Sequence, residues 1–167
     1  MTAEDQQAVI EHLMTPATFG GAAVERIDTH SAVVFLAGAR ALKLKRAVRF
    51  DYLDFSTEPL RRAACEAEVR INRRTAPALY RGVVAVTREA DGSLVLNGRG
   101  TPVDWLVDMV RFGQESLFDR LAARGALDLS LMRPLAAAIA HFHLAAERRN
   151  DHGVRSGMAW VVDGNAA

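Results

Sequence analysis

Nineteen of the 21 basic residues in this 167-residue chain are arginine. The two lysines, Lys43 and Lys45, fall on one short segment, Arg40-Ala41-Leu42-Lys43-Leu44-Lys45-Arg46. Chance in an arginine- and alanine-rich composition is one explanation. The other is that a compact ammonium is needed there and a planar guanidinium would not serve. On a strand, residues two apart share a face, so Ala41, Lys43 and Lys45 lie on one side. A small side chain at Ala41 leaves room for a flat base beside the strand. A lysine two residues on can then reach phosphate oxygens from the same face. Glu66 and Glu68 follow on the next helical stretch, and a carboxylate there can hold the ammonium in place. The plainer alternative is a surface strand with solvated lysines and a helix salt bridge worth under about 1 kcal/mol.

The elements that must position these groups are legible from periodicity. Residues 3–14 read as a short helix, with Val9, Ile10, Leu13 and Met14 at helical spacing and Pro16 stopping it. Val24–Asp28 alternates as a strand, Ala32–Leu36 is a continuous apolar run, and Ala41–Lys45 alternates apolar with basic. Ala37-Gly38-Ala39-Arg40 reads as a hairpin turn. After a connector over 51–55, Ser56 or Thr57 can cap a helix with Glu58 and Pro59 in its first turn, running to about Thr75. Strands are expected over 82–87, 94–96 and 103–112, with Ala90–Ser93 and Asn97-Gly98 as turns. The first half thus reads as an antiparallel sheet of about five strands with one helix inserted after the third. The second half reads as helical. A short helix over 116–121 is closed by Gly125. A longer one is capped by Ser130 and carries a stripe of Leu131, Leu135, Ile139, Phe142 and Ala146. The tail from Asn150 is weakly patterned.

Composition excludes several classes. Half the residues are apolar and a quarter charged, which suits a packed core and rules out wholesale disorder. A net charge of +1 argues against a dedicated nucleic-acid binder, and the arginines of the 58–75 helix read as a solvated face. No run of about 18 apolar residues suits a membrane span, and the acidic start lacks a signal-peptide pattern, so the expected address is the cytoplasm. The lone Cys65 cannot form an internal disulfide. There is no phosphate-binding P-loop, and Gly98-Arg99-Gly100, followed by Pro102, is not a dinucleotide fingerprint. His141 and His143 point about 200° apart on a helix and cannot share a metal ion; one is expected to pack and the other to be solvated.

Longer stretches carry a resemblance. Thr29–Gly38 and Ala41–Lys45 are followed by Phe50–Thr57 and Glu66–Arg74, then by Ala76–Val83 and Val107–Phe112. In that order they resemble the N-terminal part of the aminoglycoside phosphotransferase-like family of the protein-kinase-like superfamily, in particular the subgroup often fused to a P-loop ATPase domain. The resemblance runs from about residue 8 to residue 165. It implies an α+β fold: a kinase-like N-lobe over residues 1–112, followed over 113–167 by the first helices of an incomplete C-lobe. It implies an ATP site, with magnesium arriving with the nucleotide. The turn Thr29-His30-Ser31 would lie over the phosphates. Ala41 would flank the base, Lys43 would pair with the α and β phosphates, and Glu68 would pair with Lys43. Glu68 is favoured over Glu66 because Ile71, three residues on, is placed to pack the helix on the sheet. Lys45 is the reserve for Lys43. Met109 to Phe112, including Arg111, would be the hinge, offering backbone groups to adenine.

The departure from the family lies in the catalytic machinery. Kinase-type transfer needs a catalytic-loop aspartate, and an asparagine and a second aspartate for magnesium. Nothing here matches the family's H-G-D-type loop, and Asp151-His152-Gly153 fits D-x-G in letters only. The expectation is an ATP-binding part of a small-molecule phosphotransferase, inactive alone, with catalytic and metal-binding residues both absent from the chain. The phosphate acceptor is open. The helices after residue 113 are expected to present an apolar face, covered by the rest of the lobe or by a second copy. The alternative function is a non-catalytic protein-interaction module.

Overall fold

The computed structural model describes residues 6–148, 153 and 155–166. The chain divides into two compact units, Met1–Gln114 and Glu115–Ala167.

The first unit is a six-stranded antiparallel sheet, its strands falling on the six strand-like runs read from the sequence. The strands are β1 (Val24–Asp28), β2 (Ala32–Ala37) and β3 (Arg40–Lys45), then β6 (Tyr80–Arg88), β7 (Leu94–Leu96) and β8 (Thr101–Val110). Their spatial order is β1-β2-β3-β8-β6-β7. Between β3 and β6 the connector folds into a two-stranded hairpin, β4 (Arg49–Phe50) with β5 (Leu53–Asp54), where sequence suggested no strand. Two helices flank the sheet: α1 (Gln7–Met14) and α2 (Glu58–Asn72).

Strand alternation assigns the two faces. Val33, Phe35, Leu42, Leu44, Val84, Val86 and Leu106 form one core with Val9 and Leu13 of α1. Val107 packs on the other face with Cys65 and Val69 of α2, flanked by Tyr80, Val83, Trp105 and Met109. The chain leaves β3, crosses the sheet as α2 and re-enters as β6, leaving a place that β8 later fills. α2 therefore lies over β8. It stops at Asn72, three residues short of the expected end, in a turn in which Ala76 N–H bonds the Asn72 carbonyl at 2.8 Å. Thr57 is its N-cap residue but gives no side-chain cap; the Ser56 hydroxyl instead donates to Asp54 Oδ1 at 2.5 Å. The β2–β3 hairpin turns on Gly38, whose φ of 53° favours glycine.

Among the described residues, one ion pair is fully enclosed. Arg61 Nε meets Asp104 Oδ1 at 2.8 Å, with both side chains 1% exposed. Arg61 also donates to the Phe55 carbonyl at 3.1 Å. Gln6 donates to Asp104 Oδ2 at 2.6 Å and to the Lys45 carbonyl at 2.9 Å, and accepts from the Ala47 N–H. The network joins the start of α1, the end of β3, α2 and β8. Arg61 therefore departs from the solvated face expected of the helix arginines.

In the second unit, α3 (Phe118–Ala123), α4 (Met132–Ala145) and α5 (Arg155–Ala166) follow one another. The weakly patterned tail is thus mostly helix. Ser130 does not cap α4: Asp128 accepts the Ser130 N–H at 2.8 Å, capping a short 3-10 turn before it. Leu131, Leu135 and Ile139 of the expected stripe are exposed, as are Leu129, Leu144, Met158 and Trp160. Both His141 and His143 are exposed, so neither is packed as expected of one of them. Asp151 and His152 lie outside the described residues. Among the described residues, no helix is long and apolar enough to cross a membrane.

Candidate functional site

A cavity of about 540 Å³ opens in the first unit on the face that α2 covers. Small-molecule sites usually span roughly 300–1,000 Å³. Its wall is set by strand register. Val34 stands opposite Lys43 and Leu36 opposite Ala41 across β2 and β3, and Ala41 in turn faces Met109 on β8. Because alternate residues share a face, these five side chains come to one side while Leu42 and Leu44 go to the core.

All eight residues singled out from sequence border this cavity: Thr29, His30, Ser31, Ala41, Lys43, Glu68, Met109 and Arg111. The structure adds Ile27, Val34, Leu36, Tyr80, Phe112 and others. Val34 and Leu36 could have been found by laying the β2–β3 hairpin in register about Gly38. Tyr80 had no local signal, because its place depends on α2 and β6 meeting.

Lys43 Nζ donates to Glu68 Oε1 at 3.0 Å and to Oε2 at 3.3 Å. Lys45 Nζ donates to Glu68 Oε2 as well. The two lysines differ in setting. Lys43 is 30% exposed and borders the cavity. Lys45 is 10% exposed and sits with its ammonium 5.2 Å from the centre of the Phe55 ring. Glu66 points elsewhere and pairs with Arg62 at 2.9 Å on the exposed side of α2. The reason given for preferring Glu68 does not hold, since Ile71 is exposed. Cys65 and Val69 seat the helix, and Glu68 follows Cys65 by three residues on the same side.

Burial pushes the Glu68 carboxyl upward, but the hydrogen bond from Lys45 and the charges of Lys43 and Lys45 outweigh it and hold it below its ordinary value. Burial, and then the Glu68 charge, push the Tyr80 hydroxyl up, so it stays neutral. Burial pushes the Cys65 thiol up to about 12.

Thr29 shapes the β1–β2 turn, its hydroxyl accepting the Ala32 N–H at 3.0 Å. The His30 ring lies 6.3 Å from Phe50, which stacks on Tyr52 at 5.6 Å. At the far end, the Val110 N–H bonds the Leu79 carbonyl at 2.8 Å and the Arg111 N–H bonds the Ala39 carbonyl at 2.9 Å. These two amides are committed to the fold, so this segment offers a ligand less backbone than expected. The Arg111 guanidinium pairs with Glu25 at 3.0 Å. Among the described residues, no group of three or more His, Cys, Asp or Glu side chains is placed to hold a metal ion.

No family model matches the chain, and no solved structure matches it. Similar sequences occur in uncharacterised proteins of Mycobacterium bovis and Mycobacterium tuberculosis, each 36% identical over 124 residues. The match covers 72% of this chain but 22% of each relative. The chain thus spans about a fifth of the length of the curated relatives it matches.

Proposed function

We propose that the first unit is a kinase-like N-lobe and binds ATP, as the nucleotide-binding part of a small-molecule phosphotransferase. The observation that carries this reading is the Lys43–Glu68 pair at the edge of a cavity whose neighbouring wall is apolar and begins at Ala41. Val34, Leu36, Met109 and Phe112 suit a flat, weakly polar base. Lys43 and the polar turn Thr29–Ser31 suit a polyphosphate. With the Val110 and Arg111 amides engaged, the adenine amino group would donate to strand-end carbonyls, each of which has two lone pairs. Magnesium would arrive on the phosphates and lower their charge. Catalysis of transfer would fall to residues outside this unit.

Titration of the chain with a fluorescent ATP analogue tests the reading. Lys43→Met removes one charge-assisted contact, worth about 1.5–3 kcal/mol, so ATP should bind roughly tenfold or more weaker while adenosine changes little. An unchanged dissociation constant for ATP would sink the assignment.

A second reading, a protein-interaction module, is favoured by the exposed Leu129, Leu144, Met158 and Trp160. Self-association in sizing chromatography that is indifferent to ATP and lost on replacing Leu144 and Trp160 by serine would favour it. A monomer at all concentrations would count against the version in which a second copy covers this face.

A further inference from the structure

The carboxylate of Glu68 meets two ammonium groups, although a single lysine would neutralise it. Among the described residues, the charges acting on Glu68 are those of Lys43 and Lys45, which leaves one positive charge in surplus. Asp104 is closed in its pair with Arg61, and Cys65 and Tyr80 are neutral at physiological pH. The two cations are also held differently. Lys45 is enclosed between Glu68 and the Phe55 ring, and its strand end is pinned by Gln6. Lys43 borders the cavity and is three times as exposed.

We infer that Lys45 is a positioning residue that keeps Glu68 ionised and fixed, so that Lys43 can leave it for a phosphate group. This deepens the nucleotide reading and rests on it. The physical need is plain. Glu68 is 12% exposed, and a carboxylate left there without a cation would take up a proton or draw Lys43 back. Either result would oppose anion binding. With Lys45 in place, moving Lys43 to a phosphate leaves a neutral Lys45–Glu68 pair behind and carries the surplus charge to the ligand. The groups facing Glu68 are Lys43 and Lys45 from β3, Tyr80 from β6 and Cys65 one turn earlier on α2.

The test follows the Glu68 carboxyl by carbon-13 NMR in glutamate-labelled protein. Without ligand, Glu68 should titrate below the ordinary glutamate range in both Lys43→Met and Lys45→Met, because each variant keeps one ammonium on the carboxylate, and it should rise above that range only when both lysines are replaced. A Glu68 that rises above the ordinary range in Lys43→Met, where Lys45 alone faces it, would overturn the assignment. ATP is then added and the Glu68 carboxyl is followed again at a pH just above the ordinary glutamate value, a signal that the titrating terminal phosphate of ATP does not share. In the unaltered chain Glu68 should stay ionised on ATP binding, whereas in Lys45→Met it should become protonated as Lys43 leaves, and ATP should bind roughly tenfold or more weaker. A purely structural role for Lys45 would weaken binding without moving protons. Should Lys45→Met fail to fold, the unaltered chain still decides: protonation of Glu68 on ATP binding would overturn the assignment. Absence of ATP binding by the unaltered chain would instead overturn the nucleotide reading, while the ligand-free titration still reports whether Lys45 holds Glu68.

Discussion

Replacing Arg61 by methionine should destabilise the first unit by about 4 kcal/mol at pH 7. Arg61 and Asp104 are each 1% exposed and 2.8 Å apart. Methionine keeps much of the side-chain length and leaves no large void, so the packing loss is small. The electrostatic loss is large, because breaking a buried pair from one side costs about 3–5 kcal/mol. Asp104 keeps only weaker support, from Gln6 at 2.6 Å and the Trp105 N–H at 2.8 Å. The Phe55 carbonyl also loses its Arg61 donor. Against a typical domain stability of about 5–15 kcal/mol, such a loss is readily measured by urea unfolding. The pH dependence follows from Asp104. Burial already raises its carboxyl above the ordinary 3.8, against the pull of Arg61 and Gln6, and loss of Arg61 raises it further. A group raised in the folded state binds protons more tightly there, so the stability it confers is present at low pH and lost as pH rises through the folded value. The penalty of Arg61→Met should therefore shrink between pH 7 and pH 5. Pairing it with Asp104→Leu should recover much of the loss, since two apolar groups need no partner. A penalty below about 1 kcal/mol that ignores pH would refute this account and mean that Asp104 is hydrated.

Two further predictions concern the fold. A Cβ at Gly100 would run into the backbone carbonyl of Arg88, whereas one at Gly113 meets nothing within 4 Å. Gly100→Ala should cost about 1–3 kcal/mol and Gly113→Ala less than about 0.5, and equal melting temperatures for the two variants would contradict the packing at Gly100. Cys65 is fully buried with its thiol pushed up to about 12, so a disulfide reagent at pH 8 should label it only as fast as the protein opens. Prompt labelling of the folded chain would contradict its burial.

The reach of sequence reasoning differs from element to element. The β2–β3 hairpin was readable because its signals are local: an apolar run, Gly38 and a strict alternation. The pairing of β8 with β3 was not, since it joins residues more than 60 positions apart. The β4–β5 hairpin escaped for a related reason: each strand is two residues long, too short to show a period. α5 was missed because glycines at 157 and 164 dilute its helical pattern. Arg61 shows the limit most clearly. On a helix rich in arginine it looked solvated like its neighbours, and its burial depends on Asp104, 43 residues away.

By itself the sequence determined that Ala41, Lys43 and Lys45 share one face, because side chains on a strand alternate with a period of two. It also determined that Glu66 and Glu68 cannot both face the sheet, because two residues on a helix subtend about 200°. Only the tertiary structure decided which glutamate turns inward. The rotation of α2 is fixed by Cys65 and Val69 settling on Val107, a contact with no local signature. It also decided that Lys43 borders the cavity while Lys45 lies enclosed. That difference comes from Phe55 and Gln6, which reach β3 from elements on either side of it in the sequence.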